Sequence, residues 1–395
     1  MDLQNNAAEH IGLRHRDFKK LCLANFLFAL YVYMLLPVLP LWMTEMTELS
    51  RFQMSSVMAA FGVGVFSLGA FSSYLIQRYR RNKVCILFMF LLLACGLTFA
   101  YLEQEYFLSA TTEETFLFML LVRFFAGAFF GLAYMILNST LIVDCCESSH
   151  RTRANMVSMW SYRWAVVLGP MVGLFVFRES GYLNTLYVSA ALCFVAMGVL
   201  ASVQFPFKAP DDNVRLFSFD RFFMPRSFPL FVASTAVSAS LGVVFASLTD
   251  YSFFAALAAG FLVLMLLQRF VPQIRQMGWI TSVSYVLVLA GLVAVFSSSR
   301  ALNVSGALVL GLGLSAMTSR LHIFFIHVGD HCQRGTSQST YILSFELGMA
   351  LGFAARIYFS GVFDPMLLSL VFAEFSMLVY FCIAFTWLKR NLRKL

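Results

Sequence analysis

Long apolar runs alternate with short polar breaks along the whole chain, and the runs are too long and too uniform to be the buried faces of soluble domains. They cover residues 18–43, 53–76, 84–102, 115–142, 154–177, 182–204, 227–248, 251–268, 278–297, 303–328, 337–359 and 365–388. Each approaches or exceeds the roughly 20 residues that carry a helix across a hydrocarbon core of about 30 Å. The pattern predicts an all-α membrane protein of twelve transmembrane helices. Six runs lie on either side of a polar stretch, Lys208 to Arg226, which contains Pro210, Asp211, Asp212 and Asn213. The expected division is a first six-helix bundle over 1–206, a linker over 207–226 and a second bundle over 227–395. Within the linker, RLFSFDRFF sets Leu216, Phe219 and Phe223 at helical spacing beside Arg215 and Arg221. That spacing predicts a short helix lying on the membrane surface, with an irregular linker as the alternative.

The placement of positive charge gives the runs a direction. On one side of the expected membrane lie Arg14, Arg16, Lys19, Lys20, Arg78, Arg80, Arg81, Lys83, Arg151 and Arg153. Lys208, Arg215, Arg221, Arg226, Arg269, Arg275, Arg334, Lys389, Arg390, Arg393 and Lys394 continue that side. The opposite loops hold only Arg51, Arg178 and Arg300. Such a bias places the basic loops and both termini in the cytoplasm, in a plasma (bacterial inner) membrane. It also supports the count, because one missed span would invert every later loop. The first run is too long for a signal-peptide core and has no small-residue cleavage site, so it is expected to remain a span.

Composition removes the competing classes. Hydrophobic residues make up 60% of the chain and charged residues 12%, about half the charged share of a soluble protein. The net charge of +8 is used up in loop orientation, so no nucleic-acid partner is expected. None of the eight cysteines (Cys22, Cys85, Cys95, Cys145, Cys146, Cys193, Cys332, Cys382) falls in a loop of the less basic side, so no disulfide framework is expected. Cys145 and Cys146 beside His150 lack the spacing of a zinc site. No metal and no cofactor is expected.

The two halves share a weak repeat. GAFFGLAYMILNSTLIVDCC from Gly127 and GLSAMTSRLHIFFIHVGDHC from Gly313 align at an offset of 186, pairing Asp144 with Asp330 and Cys146 with Cys332. Each block precedes a basic loop and then a span with a Gly-xxx-Gly step, Gly169/Gly173 and Gly348/Gly352. Two parallel six-span repeats are a transporter arrangement.

Charges inside spans mark the candidate chemistry, since each costs at least ~2.5–3.5 kcal/mol at the centre of a helix. Arg123 lies near mid-membrane. Steps of three and four put Arg123, Gly127, Gly131, Tyr134 and Asn138 on one polar, small face, expected to line a wet cavity or to meet a neighbouring backbone closely. Arg163 and Glu346 are at similar depth in the fifth and eleventh spans. Glu346 is the candidate proton carrier, with Arg163 and Arg320 as its expected neighbours; an ion pair of Arg163 with Glu346 is the plainer reading. Glu374, in the last span, is expected to serve packing. Arg320 and His327 share a face of the tenth span, with His322 directed the other way, and His327 is a candidate relay. Arg356 is expected to snorkel.

Several of these stretches resemble motifs of major facilitator superfamily carriers. LVRFFAGAFFG from Leu121 is similar to the fourth-span Arg-x-x-Gln-Gly motif, with Ala126 where the Gln stands; the resemblance ties Arg123 to proton coupling. QRYRRNKV from Gln77 is similar to the Asp-Arg-x-Gly-Arg-Arg gating loop, with Gln77 for the acid and Arg80 for the glycine, and implies gating roles for Gln77, Arg78 and Arg81. LGPMVG resembles the Gly-Pro-x-x-Gly core of the fifth-span antiporter motif and implicates Gly169, Pro170 and Gly173. MLLPVLPLW matches the family's Pro-rich opening. The resemblance implies two pseudo-symmetric six-helix bundles and transport by alternating access. The expected function is proton-coupled export of a small amphiphilic or hydrophobic organic compound by a monomer in the lipid bilayer. The alternative is import, by symport or facilitation, of a small organic anion. An integral-membrane transferase is the reading from another class; it needs polar catalytic loops, and the loops here are mostly short and plain, so no enzyme is expected.

Overall fold

The computed structural model describes residues 15–101, 111–146, 150–205, 214–271, 278–330 and 333–392. Arg14, Lys208, Pro210, Asp211, Asp212, Asn213, Arg275, Cys332, Arg393 and Lys394 lie outside them. Every regular element among the described residues is helical. Helix α1 is Arg16–Leu35 continued past Pro37 by Val38–Met46, and α2 is Arg51–Ser67 continued to Arg78. Helix α3 is Arg81–Tyr101; α4 is Thr112–Ile136, extended by a π-helical turn at Leu137–Leu141 and by Ile142–Asp144. The segment Arg151–Ala201 holds α5 (151–180) and α6 (182–201). The later helices are α7 (Phe228–Ser247), α8 (Tyr251–Phe270), α9 (Ile280–Val295), α10 (Arg300–Val328), α11 (Arg334–Tyr358) and α12 (Pro365–Val379, prolonged to Leu392).

Among the described residues, ten helical segments are long and apolar enough to cross a membrane. One of them, Arg151–Ala201, has 51 residues, about 77 Å if straight, far more than one crossing requires. It turns at Gly181, whose φ of +82° is open to glycine and costly for a residue with a Cβ. Ile280–Val295 is apolar but shorter. Counting the turn as two crossings and adding α9 gives the twelve expected from the sequence.

Four of the helices that start at the less basic face carry side-chain caps that satisfy first-turn N–H groups. Ser50 with Gln53 and Thr111 with Glu114 form capping boxes, and Asp250 and Asp364 accept from Ser252 and Met366 N–H. Glycine then lets backbones touch, which is how helices associate where lipid removes the hydrophobic drive. A Cβ at Gly127 would come within 2.1 Å of the Phe61 carbonyl, so α4 lies directly on α2. Gly311 meets Leu257 in the same way and sets α10 on α8. Gly169 and Gly173 seat α5 on Tyr33–Met34 of α1, while Gly348 and Gly352 seat α11 on α7. The pairings therefore recur in both halves of the chain. The sequence alignment is two residues out at one point: Gly313 faces Leu287 and Val288 of α9, and the packing counterpart of Gly127 is Gly311.

Early and late helices also meet each other. Helix α2 lies along α11, with Gly62 against Ala350 and Ser55 Oγ donating to the Ala354 carbonyl at 2.9 Å. At the less basic end Arg178 donates to the Thr249 carbonyl at 2.7 Å. At the basic end Gly335 of α11 packs against the Ser139 carbonyl in the π turn of α4. The linker does not form the expected surface helix. Its described part turns at Arg221, with φ of +61°. The Arg221 and Met224 N–H groups are spent on Thr336 and Thr340 hydroxyls at 3.0 and 2.9 Å. Ser218 N–H goes to the Ala70 carbonyl at 3.0 Å, and the Phe222 ring fills the space above Gly69. The linker thus straps the basic ends of α2 and α11 together.

Candidate functional site

Two packing contacts build the centre of the molecule. Gly169 and Gly173 press α5 onto α1 at Tyr33. Tyr162 stands seven residues before Gly169, two turns back on the same face, and so arrives beside Tyr33. Glu346, about 18 Å along α11 from its basic end, reaches both. The Tyr162 hydroxyl lies 2.5 Å from Glu346 Oε1, the Tyr33 hydroxyl 3.0 Å from the same oxygen, and the hydroxyls 2.8 Å from each other. All three residues are buried.

Both phenol hydroxyls can donate to Glu346 Oε1, and either can donate to the other. Two phenols carry two hydrogens for three oxygen contacts; a protonated carboxyl would supply the third. Tyr134 and Phe345 pack their rings against Tyr162, with centroids 5.2 and 5.7 Å away, and enclose it in an apolar sheath.

The predicted α4 face splits into three environments. Gly127 and Gly131 meet the backbone of α2, so the close-packing alternative holds for them. Tyr134 belongs to the aromatic sheath. Asn138 sits in the π turn and closes an amide cluster: it donates to Asn25 Oδ1 at 2.9 Å, accepts from Ser158 Oγ at 2.8 Å, and Asn25 donates to the Ser158 carbonyl at 3.0 Å. These three buried residues tie α1, α4 and α5. Arg123 lies apart, in a cavity among α1, α2, α3, α4 and α6.

The expected neighbours of Glu346 are not arginines. Arg163 instead reaches from α5 to α10, donating to Ser319 Oγ at 2.8 Å and the Thr318 carbonyl at 2.9 Å, with Trp160 beside it. Arg320 lies over Phe324, which stacks on Tyr380 of α12. His327 is exposed, whereas Arg320, its partner on that face, is buried. His322 does enter: its Nε2 is 2.6 Å from Gln338 Oε1 and its ring 5.0 Å from that of Tyr341. The cause is that α10 presents Ser315, Ser319 and His322 inward, a different face from the one chosen by charge alone. Glu374 is exposed among Leu367, Val371 and Leu378, so it does not pack inward. Arg356 bonds Ser247 Oγ at 2.9 Å.

At the basic end Arg81 pairs with Asp144 at the end of α4, and Arg151 lies 3.7 Å from the same carboxylate. Arg226 pairs with Asp330 at 2.9 Å and also reaches Gln333. The charge lock that Gln77 cannot provide is therefore made by Arg81. Gln77 bonds Ser73 on its own helix at 3.0 Å, and Arg78 ends that helix. Pro170 is buried between the two seating glycines. These ion pairs each join two helices of one half; they are partly solvated and worth at most about 1 kcal/mol each. Tyr33, Tyr162, Asn25, Ser158 and Gln338 escaped sequence reasoning, and His322 was directed away from the candidate face. The Gly169/Gly173 step, two turns from Tyr162, was the available signal.

A family model described as Major Facilitator Superfamily matches residues 21–353. None of the curated proteins matches the sequence. Among solved structures, a mutant form of the nucleoside transporter NupG is similar with a TM-score of 0.62 at 16% identity, over 93% of this chain and 98% of that one. An auto-inhibited peptide transporter of the POT family gives 0.64 at 14% identity, over 95% and 97%. The human organic anion transporter MFSD10 (TETRAN) gives 0.61 at 16% identity, over 92% and 98%. At these identities the likeness is one of fold.

Proposed function

The chain belongs to the Major Facilitator Superfamily, and on that premise we propose that it exports a small amphiphilic or hydrophobic organic compound in exchange for a proton carried on Glu346. The observation that carries the reading is the three-oxygen ring of Glu346, Tyr33 and Tyr162, assembled from α1, α5 and α11. A proton bound there joins helices from the two ends of the chain, so its gain or loss has a direct mechanical consequence. Loss of the proton leaves one oxygen contact without hydrogen and a charge in an apolar sheath, which favours opening toward water. Rebinding restores the closed form. The moving bodies are residues 1–206 and 227–395, joined by 207–226, in a monomer. The basic end faces the cytoplasm of a plasma (bacterial inner) membrane, following the loop charges. Gly169, Pro170 and Gly173 hold Tyr33 in register with Tyr162, while Arg81 with Asp144, next to Gln77 and Arg78 at the end of α2, fixes the cytoplasmic ends of α3 and α4 beside the gate. On α4, Tyr134 packs on the ring, Gly127 and Gly131 seat the helix on α2, and Asn138 ties it to α1 and α5.

A second reading, import of a small organic anion, is favoured by Arg163, whose guanidinium bridges α5 and α10 beside Ser319. Arg320, buried on α10, and the exposed His327 would act away from the ring in either reading. Purified protein in liposomes with an imposed pH gradient, offered pooled organic cations, neutral amphiphiles and organic anions, separates the readings. Export predicts accumulation driven by the proton gradient for a cationic or neutral pool and its collapse with a protonophore. Gradient-driven uptake confined to the anion pool supports the second reading, and flux that ignores the gradient for every pool contradicts proton exchange.

A further inference from the structure

Arg123 is the charge for which the ring mechanism has no use, and its surroundings are unusual for a guanidinium. It lines a cavity of about 30 Å³ with Tyr31, Phe61, Cys95, Gly96 and Tyr182. Its Nε is enclosed and lacks a hydrogen-bond partner, and its Cζ stands 4.5 Å over the Phe61 ring. A guanidinium does not release its proton in a protein, so the positive charge persists. The carboxylates within the spans and at the start of α4 lie elsewhere. Glu346 closes the tyrosine ring. Glu113 accepts from Gln53 at 3.2 Å, and Glu114 is held in its own capping box, nine residues or about 14 Å back along α4. Glu374 is exposed on α12. No acidic side chain lines the cavity.

The cavity is shaped for something small. A space of 30 Å³ holds one or two waters or one halide, since a single water needs about 10–15 Å³ by the same measure. An organic substrate or a lipid headgroup is excluded by size. Tyr31 Oη reaches the Leu92 carbonyl only at 3.4 Å, a marginal bond, so its proton is available to a better acceptor. Gly96 keeps that hydroxyl unobstructed: a Cβ there would fall 2.4 Å from it. We propose that a small monovalent inorganic anion, with chloride as the probe, binds in this cavity against Arg123, with Tyr31 as a hydroxyl donor. The ion neutralises Arg123 independently of the substrate and of the proton on Glu346.

The test is thermal unfolding of the purified protein in sodium chloride against sodium gluconate at constant ionic strength. Chloride is expected to raise the midpoint saturably, by about 5 °C at 100-fold over its dissociation constant. Arg123→Gln is expected to abolish the difference between salts, and Tyr31→Phe to weaken the chloride dependence several-fold. Equal midpoints in both salts, or a chloride shift that survives in Arg123→Gln, overturn the proposal. Should Arg123→Gln fail to fold, bromide anomalous scattering from crystals of the unaltered protein decides: a peak beside Arg123 supports the site, and its absence overturns it. None of these readouts depends on transport, so they stand or fall apart from the proposed export.

Discussion

At the scale of single residues, the ring of Glu346, Tyr33 and Tyr162 makes unequal demands on its two phenols. Tyr162 makes the shorter contact with the carboxyl, 2.5 against 3.0 Å. Tyr162→Phe should therefore reduce gradient-driven transport more than Tyr33→Phe, and each should cost no more than about 0.5–1.5 kcal/mol of stability, the net worth of one hydrogen bond. Parallel transport and unfolding measurements check both parts. Losses of equal size, or collapse of the fold, would mean that the phenols serve packing alone. Glu346 was legible in the sequence because a carboxyl in an apolar run is costly. Its partners were not, since tyrosine in such a run reads as packing and these two lie 313 and 184 positions away. His322 and His327 show the same limit: a charged face can be drawn on a helix, but which face turns inward is set by neighbours the helix does not contain.

At the scale of elements, the glycine contacts separate steric need from backbone need. Gly173→Val puts a branched side chain where the Met34 carbonyl lies 2.1 Å from the Cβ position. It should destabilise by about 3 kcal/mol, near the upper end of overpacking costs. Gly198 has nothing within 4 Å of its Cβ position and lies in helical α6, so Gly198→Ala should stabilise by roughly 0.5–1 kcal/mol. Unfolding in one detergent compares the two, and similar effects from both would undo the packing argument. The cap of α8 adds a pH dependence. The Ser252 N–H and hydroxyl hold the Asp250 carboxyl below its ordinary range, with Arg178 and Arg300 helping. Because the folded value is depressed, this stabilisation is present above about pH 4 and fades as pH falls through the lower folded value. Asp250→Ala should lose about 1 kcal/mol at pH 7 and show less acid sensitivity than the parent; an unchanged acid limb would remove the cap from the account. The helices themselves were legible from apolar runs and loop charge. The linker was not, because Leu216, Phe219 and Phe223 fit helical spacing while Thr336, Thr340 and Gly69, which bend the linker into a strap, lie far away in sequence.

At the scale of the molecule, closure is distributed. The basic end is held by Gly335 against the Ser139 carbonyl and by the strap; the other end by Ser55–Ala354 and Arg178–Thr249. Each contact is weak, so removing two at one end should shift the population without unfolding the protein. In a cysteine-free background, spin labels at Lys83→Cys and Arg269→Cys should report longer and broader distances once Thr336→Val and Thr340→Val are combined to free the strap; an unchanged distribution would exclude the strap as a latch. The central claim is that a proton on Glu346 couples the two ends of this cycle, and Glu346→Gln tests it most directly in liposomes with an imposed pH gradient. The amide cannot lose a proton, so exchange of labelled substrate should continue while accumulation driven by the gradient disappears. Gradient-driven accumulation in Glu346→Gln equal to that of the unaltered protein would contradict the claim.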